Sequence, residues 1–108
     1  MVVRDKVGRK RYILLHVESG RAISFEDFER AVLSSLRNEG ILRSIRPKLI
    51  DFGGGTGILR CTHTGKERAI DILNSITEID GKKVKVETVK TSGTLRKVRA
   101  IAKGLASD

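Results

Sequence analysis

The chain has 108 residues, of which 39% are hydrophobic, and a formal net charge of +9 at pH 7. This length and composition fit one domain with a modest core, and they argue against wholesale disorder and against a membrane-spanning run of about 18 apolar residues. Such a positive charge is typical of proteins that bind a polyanion, either nucleic acid or an acidic membrane surface. The single cysteine, Cys61, excludes an internal disulfide, so we expect a cytoplasmic protein.

The basic residues are concentrated in two segments. Residues 1–12 contain five basic side chains and one acidic side chain, and residues 82–103 contain eight basic and one acidic. Residues 13–81, between them, are nearly neutral. We expect residues 1–10 to form a basic N-terminal segment, either a flexible solvated tail or part of a binding surface. Residues 11–108 are expected to form a single domain.

Hydrophobic periodicity predicts strands and helices in alternation. Residues 11–18 favour a first strand, and Ser24 is placed to cap a helix that ends at Gly40. Further strands are predicted at 47–52, 58–63 and 82–90, a short helical turn at 41–45, and helices at 65–78 and from 95 to about 103. The order β-α-β-β-α-β plus a C-terminal helix predicts an α+β sandwich with an antiparallel sheet. The ferredoxin-like and RNA-recognition-motif folds have this arrangement.

The glycine-rich residues 53–57 allow two interpretations. An apolar strand, an acidic residue at Asp51 and closely spaced glycines resemble the way in which methyltransferases hold S-adenosylmethionine. In those enzymes a helix follows the glycines, whereas residues 58–63 here favour a strand. We therefore expect a hairpin and no cofactor bound by this chain, with a methyltransferase as the enzyme alternative. The expected turn residues are Gly53, Gly54, Gly55 and Gly57.

Metal binding and catalysis have little support in the sequence. Cys61 and His63 would point the same way in a strand, but only His16 could add another nitrogen ligand, and zinc needs at least three protein ligands. A buried thiol beside an edge histidine is the favoured interpretation. No serine or cysteine lies in a pattern that indicates an activated nucleophile. We therefore expect no metal site and no catalytic residue.

The last helix is predicted to be amphipathic and basic. Leu95, Val98 and Ala102 repeat at helical spacing and should face the body of the domain. The basic side chains on another face could bind RNA phosphates, be solvated, or lie on a membrane, although the lack of large aromatic residues weakens the membrane alternative. The candidate RNA-binding residues of the whole chain are Arg9, Lys10, Arg11, Arg60, Arg96, Lys97, Arg99 and Lys103.

One face of the sheet lacks an obvious ligand. The third strand has no aromatic residue where an RNA-recognition motif would place a base-stacking side chain, so we expect contacts to phosphates and to folded RNA shape. The first strand is apolar on both sides, with Tyr12 and Leu14 on the side away from the two internal helices. Either a protein partner or the terminal helix should cover this side. Tyr12 and Leu14 are therefore candidate protein-interface residues.

Several segments together resemble the ribonuclease P protein component 2 family of archaea and eukaryotes. They are Arg11-Tyr12, the run from Leu49 to Cys61 (LIDFGGGTGILRC), His63, Ile76-Thr77, and the run from Ser92 to Arg96 (SGTLR). The resemblance spans residues 11–99, and its most specific part is the long glycine-to-cysteine run.

The resemblance implies a role in the enzyme that removes the 5′ leader from precursor tRNA. In that enzyme the RNA subunit and its metal ions carry out catalysis, and the chain would be a non-catalytic subunit that supports the active form of the RNA. It also implies a partner, ribonuclease P protein component 3, in a heterotetramer with two copies of each protein. A ribosomal or other RNA-structural protein is the alternative with the same charge, size and fold.

Overall fold

The computed structural model describes residues 10–106. Residues 1–9, which include Arg9 and most of the predicted N-terminal segment, lie outside this range. The described elements are β1 (Lys10–Ser19), α1 (Phe25–Asn38), α2 (Leu42–Ile45), β2 (Lys48–Gly53), β3 (Thr56–Thr62), a 3-10 turn (His63–Gly65), α3 (Lys66–Asn74), β4 (Glu78–Ile79), β5 (Lys82–Ser92) and α4 (Leu95–Ala106). The strands form one antiparallel sheet in the order β2-β3-β1-β5-β4. This confirms the predicted α+β sandwich.

Helix α1 begins where the sequence predicts. The Ser24 hydroxyl accepts a hydrogen bond from the Asp27 backbone N–H at 3.1 Å, which satisfies one of the amides that a helix start leaves free. Phe28, Val32 and Leu36 form the buried stripe. The helix ends before Gly40, whose φ of 75° lies in the left-handed region.

The main core lies between the sheet and the helices α1 and α3. It joins Phe28 of α1 and Leu73 of α3 to Ile13, Leu15 and Leu59 of the sheet, and all five side chains are at most 1% exposed. Because side chains alternate along a strand, the intervening residues of β1 and β3 point to the opposite face. That face carries a second, smaller apolar cluster against α4.

Helix α3 is shorter than predicted, and an extra strand replaces its last turn. The helix ends at Asn74, whose side chain accepts a hydrogen bond from the Thr88 backbone N–H on β5 at 3.3 Å. Glu78 and Ile79 then pair with the start of β5 through a turn in which Asp80 and Gly81 both have positive φ. The prediction of a helix to residue 78 was therefore wrong, because buried Ile76 and Ile79 at the helix end imitate a helical stripe.

The glycine run forms the predicted hairpin between β2 and β3. Gly54 and Gly55 occupy the two turn positions with φ of 62° and 83°, as a tight hairpin with a right-handed twist requires. Gly57 has a different role, since a Cβ there would meet the Phe52 ring at 2.8 Å and the Leu15 side chain at 3.2 Å. Gly53 has neither constraint.

Alanine substitutions in this hairpin should therefore differ in effect. Gly54→Ala and Gly55→Ala are expected to lower the free energy of unfolding by about 1 kcal/mol or more, since a β-carbon is disfavoured at positive φ. Gly55→Ala should cost more, because its Cβ would also lie 3.0 Å from the Val17 carbonyl oxygen. Gly53→Ala is the control and should change stability by less than about 0.5 kcal/mol. Equal midpoints for all three variants in thermal melting would contradict the hairpin assignment.

Candidate nucleic-acid interface

The strand register gathers several of the predicted RNA-binding residues at one end of the sheet. Arg60 on β3 lies opposite Tyr12 on β1, and Tyr12 lies opposite Ser92 on β5. The first residues of β1 and the last residues of β3 and β5 therefore meet there, and we name this the basic end. Helix α4 begins just after Ser92, so its first turn also starts at the basic end.

Arg11 is held in place at the basic end. Its Nε donates a hydrogen bond to Nδ1 of His63 at 3.1 Å, which requires that this nitrogen carry no proton. Its Nη1 lies 3.4 Å from the position that a Cβ on Gly93 would occupy, so the guanidinium also lies against the turn that leads into α4. Arg11 thus joins β1, the 3-10 turn and the start of α4, and it is a structural residue as well as a cation.

The basic side chains of α4 differ in their surroundings. Arg99 forms an ion pair with Asp51 on β2, with Nη2 and Nε at 3.1 and 3.2 Å from the same carboxylate oxygen. Both side chains are about half exposed, so the pair contributes little to stability and mainly orients the guanidinium. Arg96 and Lys97 are exposed, and no described residue forms an ion pair with either one. Lys103 is exposed as well.

Two further lysines, which are not among the predicted RNA-binding residues, belong to this surface. Lys48 on β2 is the register partner of Arg60, and Lys90 on β5 is the partner of Leu14. Cross-strand partners point to the same face, so both lysines lie on the face that α4 packs against. Lys10, Lys48, Arg60 and Lys90, here named the strand-end patch, have no ion pair with any described residue. Lys48 lies outside both basic segments, and its pairing with Arg60 identifies it as part of this surface.

Helix α4 covers the apolar outer side of β1, so this side is not an open surface. Leu14 is fully buried in a cluster with Ile58 and Val98, and Tyr12 and Leu95 pack at its margin. The interpretation of Leu14 as an exposed protein-interface residue was therefore wrong. Tyr12 is partly exposed beside the strand-end patch, and its role in a protein interface stays a prediction.

An open groove of about 1310 Å³ lies between α4 and the glycine hairpin. Arg96, Arg99 and Asp51 are among its lining residues. Asp51, the acidic residue before the glycines, forms an ion pair with Arg99 of α4. A strand, β3, also follows the glycines. The hairpin interpretation accounts for both observations.

The cysteine and histidine pair does not have the geometry expected for metal ligands. Cys61 is buried on β3, whereas His63 has left the strand for the 3-10 turn and its Nδ1 accepts the bond from Arg11. Burial raises the pKa of the Cys61 thiol to about 11, an effect that nearby Lys66 partly offsets, so the thiol is protonated at neutral pH. Between residues 10 and 106 no group of three or more potential metal ligands occurs.

None of the helices within the described range is long and apolar enough to cross a membrane.

Comparison with known proteins places the chain in a family. Residues 11–103 match the model of the Rpp14/Pop5 family. Ribonuclease P protein component 2 of Methanosarcina mazei is 27% identical over 92 residues, which cover 82% of this chain and 79% of that protein. The Saccharolobus islandicus protein of the same name is 28% identical over 107 residues, which cover 93% of this chain and 75% of that protein.

A solved structure has the same fold. One chain in the cryo-EM structure of yeast ribonuclease MRP superimposes with a TM-score of 0.68 over 92% of this chain and 89% of that chain, at 16% sequence identity. At this identity the match supports the fold alone. The family match, by contrast, covers most of the sequence and includes both the glycine hairpin and the start of α4. The protein belongs to the Rpp14/Pop5 family.

Proposed function

We propose that this chain is a protein subunit of ribonuclease P that binds the enzyme's RNA through phosphate contacts at the basic end and along α4. The subunit role follows from the family match over residues 11–103, which is the observation that carries the proposal. The relatives named ribonuclease P protein component 2 cover most of the chain and agree with it. The cationic surface supplies the chemistry that such a subunit needs, because RNA offers a dense array of phosphates.

The proposal assigns catalysis to the RNA subunit and its bound metal ions, with no catalytic residue and no cofactor on this chain. The protein would stabilise the folded, active form of the RNA by neutralising phosphates that repel one another. It places the chain in the cytoplasm, in a complex that processes precursor tRNA. Ribonuclease P protein component 3 is the expected protein partner, in a heterotetramer with two copies of each chain. The support for these partners is the family resemblance.

Binding to the RNA is expected to be strongly salt-dependent. The strand-end patch and the first turn of α4 together hold six exposed or partly exposed cations without an ion pair to a described residue: Lys10, Lys48, Arg60, Lys90, Arg96 and Lys97. Each phosphate contact releases a counterion and adds about 0.9 to the slope of log affinity against log salt concentration. If most of the six contact phosphates, titrations of ribonuclease P RNA between 50 and 500 mM salt should give a slope with a magnitude of about 4 to 5.

The same titration with an unrelated folded RNA separates general from specific binding, because phosphate contacts alone do not select a sequence. Recovery of ribosomal RNA, instead of ribonuclease P RNA, with the tagged protein would favour the ribosomal alternative. An affinity that hardly changes over the salt range would refute the electrostatic part of the proposal.

A further inference from the structure

The residue that ends α2, Arg46, has a left-handed backbone although it is not glycine. Arg46 has φ of 44° and ψ of 62°, and its backbone N–H donates to the Leu42 carbonyl at 3.2 Å. A residue with left-handed φ and ψ commonly ends a helix, and glycine is the most frequent residue at this position because it has no Cβ to clash with the backbone. The turn would form at least as well with glycine at this position, so the arginine side chain itself calls for an explanation.

The Arg46 side chain forms no polar interaction within the described part of the chain. Arg46 is exposed, and its guanidinium has no hydrogen bond or ion pair with a described residue. Asp80 is the other described non-glycine residue with positive φ, at 52°. It precedes Gly81 in a tight hairpin turn, where an Asp-Gly pair is favoured by the turn itself. At Arg46 the helix end and the following Pro47 account for the left-handed backbone, but they do not account for an arginine in place of glycine.

Packing brings the chain segments that contain Arg46 and Lys66 together. A Cβ on Gly65 would overlap with the Cγ2 of Ile45, so the start of α3 lies directly against the end of α2. The Thr62 hydroxyl also donates to the Ser44 carbonyl at 3.3 Å. Lys66 is the residue after Gly65 and Arg46 is the residue after Ile45, so the two cations lie on either side of this contact.

Arg46 is also connected to the strand-end patch. It is two residues before Lys48, which pairs in register with Arg60. Arg43 lies one turn earlier on α2. The acid next to this cluster in sequence is Glu67, in the first turn of α3, and it forms no ion pair with a described residue.

We infer that Arg43, Arg46 and Lys66 form a second phosphate-binding site, here named the α2 corner, that extends the strand-end patch around the basic end. Its ligand is the phosphodiester backbone of the same folded RNA, so this inference rests on the proposed function. The left-handed turn at Arg46 directs the chain into β2 and leaves this arginine outside the body of the domain. The site therefore combines two segments that are distant in sequence, α2 and the start of α3, with the patch on the sheet.

The decisive variant is Arg46→Gly, which should separate stability from binding. The backbone strain disappears, so the melting temperature should be unchanged or rise by about 2 to 4 °C, even after allowing for the greater freedom of unfolded glycine. Affinity for ribonuclease P RNA at 0.1 M salt should fall about five- to tenfold, and the salt slope should decrease by about 0.9, as expected for one lost contact.

Three controls make the result specific. Asp80→Gly relieves the same kind of strain at the opposite end of the sheet and should not weaken RNA binding. Arg46→Lys keeps the charge, so its RNA affinity should stay within about threefold of the unchanged protein. Arg21→Ala removes one positive charge from an exposed residue far from the basic end, where screening over about 8 Å should make the effect on binding small.

The outcomes distinguish this inference from the proposed function. If the unchanged protein binds ribonuclease P RNA with a steep salt slope and Arg46→Gly binds equally well, the α2 corner is overturned while the proposed function stands. Equal losses for Arg46→Gly and Arg21→Ala would also overturn it, since net charge alone would then explain the result. If the unchanged protein fails to bind the RNA, both fail together.

Discussion

Leu14→Asp is expected to unfold the protein. Leu14 has no exposed surface and packs against Ile58 and Val98 beneath α4. A carboxylate there would lose its hydration without gaining a partner, and the apolar contacts would be lost as well. We expect a loss of about 4 kcal/mol or more, a large fraction of the 5 to 15 kcal/mol that stabilises a typical domain. Urea unfolding followed by circular dichroism measures this loss.

Val89→Asp is the matched control on the neighbouring strand. Val89 is 43% exposed and occupies a bulge in the pairing of β5 with β1. The same substitution there should change stability by less than about 1 kcal/mol, because the carboxylate remains in water. From the sequence alone, a folded Leu14→Asp monomer that no longer binds component 3 was a possible outcome. A folded Leu14→Asp variant would now show that α4 leaves the sheet in solution.

The order of elements could be predicted from the sequence because each element has a local signal. The cap at Ser24, the stop at Gly40 and the glycine hairpin depend on residues within a few positions of one another. The position of α4 has no such signal. Its apolar stripe and the apolar outer side of β1 were both visible, but a partner protein could have covered either one.

The candidate site was only partly predictable for a related reason. The charge-dense segments indicated Lys10, Arg96 and Lys97, which the fold places near the basic end. Lys48 and Arg46 lie in the nearly neutral part of the sequence and reach the same surface only through the strand register and the contact between α2 and α3. Charge density along the chain therefore identifies part of a surface, and pairing between distant strands supplies the rest.

The structure also distributes the acidic residues of the sheet unevenly along the strand direction. The strand-end patch and the α2 corner lie at the basic end, whereas Glu18 and Asp51 lie toward the opposite end of the sheet, together with Lys82, Lys83 and Lys85 of β5. Cations and anions are mixed at the opposite end, so an RNA phosphate backbone would be attracted more strongly to the basic end, which favours one orientation of the domain on the RNA. The net charge alone could not indicate any orientation.

The double variant Arg96→Ala/Arg99→Ala is expected to have the largest effect on RNA binding. Two lost phosphate contacts should reduce the salt slope by about 1.8 and the affinity at 0.1 M salt by about 50- to 100-fold. Stability should change by less than about 1 kcal/mol, because both side chains are exposed and the ion pair of Arg99 with Asp51 is half solvated. Melting curves and reconstituted cleavage of precursor tRNA on the same samples measure both effects.

A matched control exists at the opposite end of the molecule. Arg21 is exposed without an ion pair to a described residue, and Arg30 pairs with Asp27 at 3.3 Å, so Arg21→Ala/Arg30→Ala also removes one unpaired and one paired arginine. It should bind RNA nearly as well as the unchanged protein.

Val98→Ala tests the other face of α4 and should show the reverse pattern. Val98 is fully buried against the sheet, so truncation should cost about 1 to 3 kcal/mol of stability while the folded protein keeps its RNA affinity. Normal cleavage by Arg96→Ala/Arg99→Ala at every salt concentration would show that the basic face of α4 is only solvated. The phosphate contacts would then be sought in the strand-end patch and the α2 corner, which hold unpaired cations at the basic end.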